Sequence, residues 1–189
     1  MNSIGYRDGS APSCITLISD NINNLYGSIR VVVLLGRAFK ALGYKVRIIA
    51  PHVSEQAYSQ LRGLGFEVAE VGLDLGILGK LHNRYFRELA TWLIHSRAAG
   101  QLIHVDEGCI SINMSYQLPI PSTVYYALGH VSDLLGDMSK QYPYLYLLYL
   151  LVEPVIQYVE SPYNRALAAS SIVAAISRFV ASRLVKRGI

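Results

Sequence analysis

A chain of 189 residues that is 52% hydrophobic holds ample material for one core, so one domain over residues 1–189 is expected. The formal charge of +4 is modest and the basic residues are scattered, the densest group being Arg178, Arg183, Lys186 and Arg187. Lacking a basic stripe interleaved with aromatics, the sequence predicts no nucleic-acid partner. Its most apolar run, residues 144–152, is too short to span a bilayer.

Residues 1–13 hold no apolar run, and no secretory signal is expected there. Cys14-Ile-Thr-Leu-Ile-Ser19 is apolar and β-branched, as a strand buried on both faces should be. A polar turn over residues 20–24 leads to Gly27 and Ser28, which open a helix. Ile29, Val32, Val33, Gly36, Phe39 and Leu42 share one face of that helix, and Gly43 stops it. Residues 45–50 form the next strand, closed by Pro51. Ser54 is an N-cap for a helix to residue 64, and the alternation of residues 66–71 predicts a half-exposed strand toward a sheet edge. A glycine-rich loop over 72–79 and a helix over 82–99 follow.

Leu102-Ile-His-Val105 is read as the fourth strand, running into Asp106, Glu107 and Gly108. A short helix is predicted over 109–117 and a fifth strand over 122–127, ending at Gly129 and His130. Residues 131–140 read as a loop or short helix. An aromatic helix over 142–161 should break or bend at Pro154. Residues 171–176 form the last strand and 178–186 the last helix, with Ser177 as its cap. Cys14 and Cys109 lie beside predicted core and outside any CxxC pair, and both are read as reduced, buried small hydrophobes.

Six strands alternating with helices predict an α/β domain, a Rossmann-like doubly wound, mostly parallel sheet with helices on both faces. Ligands of such sheets bind beyond the carboxyl ends of the strands. That rule selects the loops over residues 24–28, 106–108 and 129–133 and the turn at Ser177, with Gly27, Ser28, Asp106, Glu107 and Gly108 taken as substrate-binding groups and His130 and Asp133 as ionisable groups at a strand end. His104 is read as a core histidine, His52 as a weaker candidate at a strand end, and His82 and His95 as surface residues. The five histidines show no metal-ligand spacing, so no metal is expected. The first loop lacks a full GxGxxG and no acid closes the second strand, which argues against a nicotinamide cofactor.

Several segments carry a resemblance. Tyr26-Gly-Ser-Ile-Arg-Val-Val32, Leu35-Gly-Arg-Ala-Phe-Lys-Ala-Leu-Gly43 and Val46-Arg-Ile-Ile-Ala-Pro51 resemble the opening of a GT-B glycosyltransferase of the retaining group called family 4 or group 1. Tyr26 stands where that family has a first loop glycine, and Tyr44 where it has a histidine. Leu102-Ile-His-Val-Asp-Glu-Gly108 is similar to a strand of these enzymes, with Asp106 in place of a second histidine. Thr123-Val-Tyr-Tyr-Ala-Leu-Gly-His130 resembles the following strand, which ends in a histidine at the cleft. Ser171-Ile-Val-Ala-Ala-Ile-Ser-Arg-Phe-Val-Ala-Ser-Arg-Leu-Val-Lys-Arg-Gly-Ile189 looks like the run that closes the family's N-terminal domain.

The resemblance implies the acceptor-side half of a GT-B fold, a retaining hexosyltransferase moving a sugar from a nucleotide-sugar donor to a sugar or lipid-linked acceptor. His130 would be its catalytic group, and neither metal nor resident cofactor is implied. The C-terminal donor-binding domain is absent from this sequence. The donor would be held by that domain or by a partner subunit, and the chain alone is expected to be inactive. The expected place is the cytoplasm, at the inner face of the membrane, with the tyrosines of residues 142–158 in peripheral membrane contact. The alternative is a non-catalytic Rossmann-like module that binds a nucleotide or a partner.

Overall fold

The computed structural model describes residues 12–27, 29–72, 94, 103, 108–130, 132–133, 135–137 and 142–189. Six strands form one sheet: β1 (Cys14–Ile18), β2 (Lys45–Ala50), β3 (Glu67–Glu70), β4 (Ile110–Asn113), β5 (Val124–Ala127) and β6 (Ile172–Ala175). Their order is β3-β2-β1-β4-β5-β6 and every pairing is parallel. This is the Rossmann order, with the switch in winding direction between β1 and β4. The sheet is therefore all parallel rather than mostly so.

Among the described residues, helices α1 (Ile29–Ala41), α2 (Glu55–Gly63), α3 (Pro143–Ala169) and α4 (Arg178–Lys186) accompany it. Strand parity shows which face each covers. Tyr126 of β5 packs against the core cluster that also holds Ile29 and Val32 of α1 and Ala57 and Leu61 of α2. Its neighbours Tyr125 and Ala127 point the other way, into Tyr163, Ala166 and Leu167 of α3 and Val180 and Leu184 of α4. Helices thus lie on both faces. At Gly36, α1 comes so close to the sheet that an added Cβ would lie 2.9 Å from the Phe66 ring.

Local signals explain the element ends. Ser54 Oγ accepts from the Ala57 N–H and Ser177 Oγ from the Val180 N–H, each satisfying a donor that a helix start leaves free. β3 is an edge strand as predicted, but its burial does not alternate: Val68 is in the core while Glu70, on the same face, is exposed, as is Glu67.

Three expectations are corrected. Residues 110–113 are a strand, not part of a helix, because Ile110, Ser111, Ile112 and Asn113 insert between β1 and β5 where each side chain finds a buried face. Ile103 is buried but lies in no strand, and the rest of 102–107 is outside the described residues. Second, α3 is unbroken at Pro154 and at Pro162 and continues to Ala169. The packing of Val159, Tyr163, Ala166 and Leu167 outweighs the hydrogen bonds that the prolines remove. Third, Cys14 and Cys109 are joined in a disulfide, with Cα atoms 4.8 Å apart. Both residues stand at the amino ends of neighbouring strands, a juxtaposition that a sequence separation of 95 conceals.

Candidate functional site

The carboxyl ends of β1, β4, β5 and β6 converge on one edge of the sheet, and the polar groups of the molecule concentrate there. After β1, the Asp20 carboxylate accepts from Ser115 Oγ (2.6 Å), the Tyr116 N–H (2.9 Å) and the Gln117 N–H (2.8 Å). All three donors follow β4, so Asp20 stitches the sheet across its switch point. Asn113 Nδ2 donates to the carbonyls of Leu118 and Ile120, and its Oδ1 accepts from the Ser115 N–H, which holds the β4 turn in shape. Burial pushes the Asp20 carboxyl above the usual 3.8, and the three hydrogen bonds offset only part of that rise. A cavity of about 110 Å³ adjoins it, lined by Ser19, Asp20, Val32, Met114, Tyr126 and Leu128.

On the other face of β5 lies a cleft of about 370 Å³, whose lining includes Tyr116, His130, Asp133, Phe179 and Arg183. His130 emerges directly after β5, and its side chain has no exposed surface. Its Nε2 lies 2.5 Å from Asn164 Oδ1, and its ring stands edge-on to Tyr163 at 5.2 Å. Its Nδ1 lies 3.9 Å from Asp133 Oδ2, too far for a hydrogen bond, and neither atom has another partner. Below them Glu160, fully buried on α3, accepts from Tyr116 Oη (2.8 Å), the Ser132 N–H (2.9 Å) and Ser132 Oγ (2.6 Å). Arg187 binds Asp133 Oδ1 and Ser132 Oγ, and Arg183 binds both oxygens of Asp137.

Three tyrosines complete this layer. Tyr125 donates its hydroxyl to the Ser115 carbonyl at 2.7 Å, and burial pushes its pKa well above 10. Burial likewise pushes Tyr163 up to about 12. The backbone amides of Leu128 and Gly129 lie close enough to Tyr163 Oη to moderate that shift, yet none is aligned as a hydrogen bond. Tyr116 stacks obliquely on Tyr163, with ring centroids 4.4 Å apart.

The residues singled out from the sequence are only partly gathered here. Gly27 (φ +69°) ends the β1 loop at the entry to α1, and the carbonyl of Gly27 accepts from the Arg30 N–H. Tyr26 beside it is 82% exposed, and its N–H is held by Asn24 Oδ1. Ser28, Asp106 and Glu107 lie outside the described residues, as do His82, His95 and His104. Gly108 precedes β4, at the amino edge of the parallel sheet, opposite the edge that holds Gly27 and His130. The strand beside β1 starts at Ile110, later than its sequence suggests, which puts Gly108 at the other end of the sheet. His52 is a surface residue whose Nδ1 lies 2.8 Å from Glu70 Oε1.

Sequence reasoning passed over Asp20, Tyr116, Glu160 and Asn164. Asp20 was detectable, since it ends a predicted strand and so satisfies the rule that selected His130. Glu160 and Asn164 are four apart on α3, and their inward stripe becomes legible only once Val159, Tyr163 and Leu167 are known to be core. Among the described residues, no group of three metal-ligating side chains occurs and no helix is long and apolar enough to cross a membrane. No protein-family model matches the sequence, and no curated protein is similar to it.

Proposed function

We propose that this protein is the acceptor-side domain of a retaining GT-B glycosyltransferase, acting with a donor-binding unit supplied by another domain or subunit. The observation that carries the reading is positional. The resembling segments become the β1–α1 turn, β2, the end of β5 with His130, and the β6–α4 turn with Ser177, and these elements meet along the carboxyl edge of one sheet. In this reading a sugar passes from a nucleotide-sugar to a sugar or lipid-linked acceptor held over that edge. Gly27 and Ser28 frame the acceptor, and His130, oriented by Asn164, faces the reacting sugar. The binding roles of Asp106 and Glu107 belong to the same proposal, as does a metal-independent reaction, whereas Gly108, at the opposite edge of the sheet, is left out of it. So does peripheral membrane contact through α3, where Tyr142, Tyr146 and Tyr158 are exposed. A cytoplasmic location would require the Cys14–Cys109 bond to persist among reducing agents, a habit of hyperthermophile proteins.

The complete burial of the His130 side chain favours a second reading, a binding module without chemistry. One experiment separates the two. Source-cell extract depleted of this protein is assayed for transfer of labelled sugar from nucleotide-sugars to lipid-linked and soluble glycan acceptors. The transferase reading expects loss of transfer, restoration by added protein, and no restoration by His130→Ala. Transfer that is indifferent to depletion refutes it.

A further inference from the structure

Asp20 carries a charge that the fold leaves uncompensated. Its Oδ1 takes all three hydrogen bonds, from Ser115, Tyr116 and Gln117, and each of those donors is neutral. Its Oδ2 accepts none, and among the described residues no lysine, arginine or histidine pairs with it. Burial still strips water from the carboxyl, which is what raises its pKa. A carboxylate in such a setting is ordinarily matched by a cation. Unlike the sealed oxygens of the His130 layer, Oδ2 is open, because Asp20 is partly exposed and lines the 110 Å³ cavity at the switch point. Ser19 Oγ and Tyr126 Oη belong to residues of the same lining, and they too are open and without a hydrogen bond.

The chemistry of this lining selects the cation. One carboxylate among the apolar side chains of Val31, Val32, Met114, Leu128 and Ile176 is a poor metal site, since hard cations gather six or more oxygens. A neutral hydroxyl would bring one hydrogen and leave the charge standing. A primary ammonium brings three hydrogens and the missing charge. At about 30 Å³ per water, the cavity has room for three or four water-sized groups, which is an ammonium with two or three methylenes and too little for a ring. Val31 and Ile176 are half-exposed, so the cavity opens between α1 and β6. Beyond them, one turn along α1 and four residues back on the same face of β6, Leu34 and Ile172 are also exposed, and this apolar surface suits a hydrocarbon. We propose that the switch-point cavity binds the head of an amphiphilic primary amine, its ammonium on Asp20 Oδ2 and its hydrocarbon running out over Val31 and Ile176. The site stands on the cavity alone, whether or not the chain takes part in sugar transfer.

The test uses the whole chain, titrated at pH 7 with hexylamine, which is protonated there as a lysine side chain is, and in parallel with hexanol. The readouts are the carboxyl carbon resonance of Asp20 and the methyl resonance of Met114 in NMR. Hexylamine should shift both in a saturable way, and hexanol should bind at least about tenfold more weakly. Asp20→Asn keeps an oxygen for Ser115, Tyr116 and Gln117 and puts an amide nitrogen in place of Oδ2. It should therefore hold the wild-type unfolding midpoint and lose the Met114 response to hexylamine. Ile176→Ser, a rim substitution that leaves the core intact, should weaken hexylamine by about threefold to tenfold through lost apolar contact. Equal binding of amine and alcohol overturns the proposal, as does a Met114 response that survives in Asp20→Asn. A cavity that holds only water gives no saturable response to either probe, and that result overturns it too.

Discussion

Opening the Cys14–Cys109 bond changes the unfolded chain far more than the folded one. In the native sheet Ile15 pairs with Ile110 immediately beyond the two cysteines, so the parallel ladder holds the sulfur-bearing residues together without the bond. In the unfolded chain the bond joins positions 95 apart. Closing a loop of that length lowers the entropy of the unfolded ensemble by about 16 cal/mol/K, which is about 4.7 kcal/mol at 25 °C. Spread over a chain of this size, that corresponds to a fall in Tm of about 10–20 °C. The assay is guanidinium unfolding followed by circular dichroism on three samples: oxidised protein, protein with reductant, and the double variant Cys14→Ser/Cys109→Ser. The reduced protein and the double variant should agree with each other and lie about 3–5 kcal/mol below the oxidised form. Two titratable thiols in unfolded, unreduced protein would refute the reasoning at its premise. A reduced midpoint equal to the oxidised one would refute its energetics.

Gly36→Ala should lower stability by about 1–3 kcal/mol in the same unfolding assay, because the new methyl meets the Phe66 ring and Leu17. That cost exceeds the roughly 0.5–1 kcal/mol that alanine returns to a helix interior, so a stabilised variant would show that α1 is not seated as described. Glu160→Ala removes the acceptor of both Ser132 donors and of Tyr116 Oη, and a loss of about 2–3 kcal/mol is expected. A neutral result would mean that these groups find other partners. Asp20 gives a pH signature. Its raised pKa means that the folded state holds the proton more tightly than the unfolded chain does. The fold therefore gains stability as pH falls through that raised value toward 3.8. Asp20→Asn keeps an oxygen for all three donors and should be at least as stable as wild type at pH 7. Urea midpoints compared between pH 7 and 4 should lack this component in the variant, and an unchanged pH slope would sink the assignment.

The parts of the fold that were legible in the sequence are those written in local chemistry. Ser54 and Ser177 announce their helices, residues 66–71 announce a strand by their apolar content, and residues 178–186 match α4 as it stands. The failures share a cause, which is that their determinants lie far away in the chain. Residues 109–117 carry no strong strand pattern because Ser111 and Asn113 are polar. Ser111 is accommodated by Thr123, twelve positions on, and Asn113 by the turn after β4. Pro154 reads as an interruption until the packing of α3 on β5 is seen. The disulfide depends on β4 lying beside β1. Of the site, His130 and Asp133 were visible as ionisable groups at a strand end. Asn164, Glu160 and Arg187, which hold those groups and the Ser132 between them, come from helices whose inward stripes no single window reveals.

The pairing pattern of the sheet also bears on how the chain is made. β1, β2 and β3 pair along a continuous stretch of sequence, and β4, β5 and β6 pair along another, so each run can assemble from what has already left the ribosome. Of the strand pairings, the β1–β4 ladder is the one that joins them, through partners such as Ile15 and Ile110. Until that second strand emerges, β1 carries an apolar, hydrogen-bond-hungry edge in what will become the middle of the sheet. At synthesis rates of about 5–20 residues per second, the delay is about 5–20 s. That interval is when the nascent chain is most exposed to pairing with its neighbours, and it closes when residues 110–113 arrive to take their place.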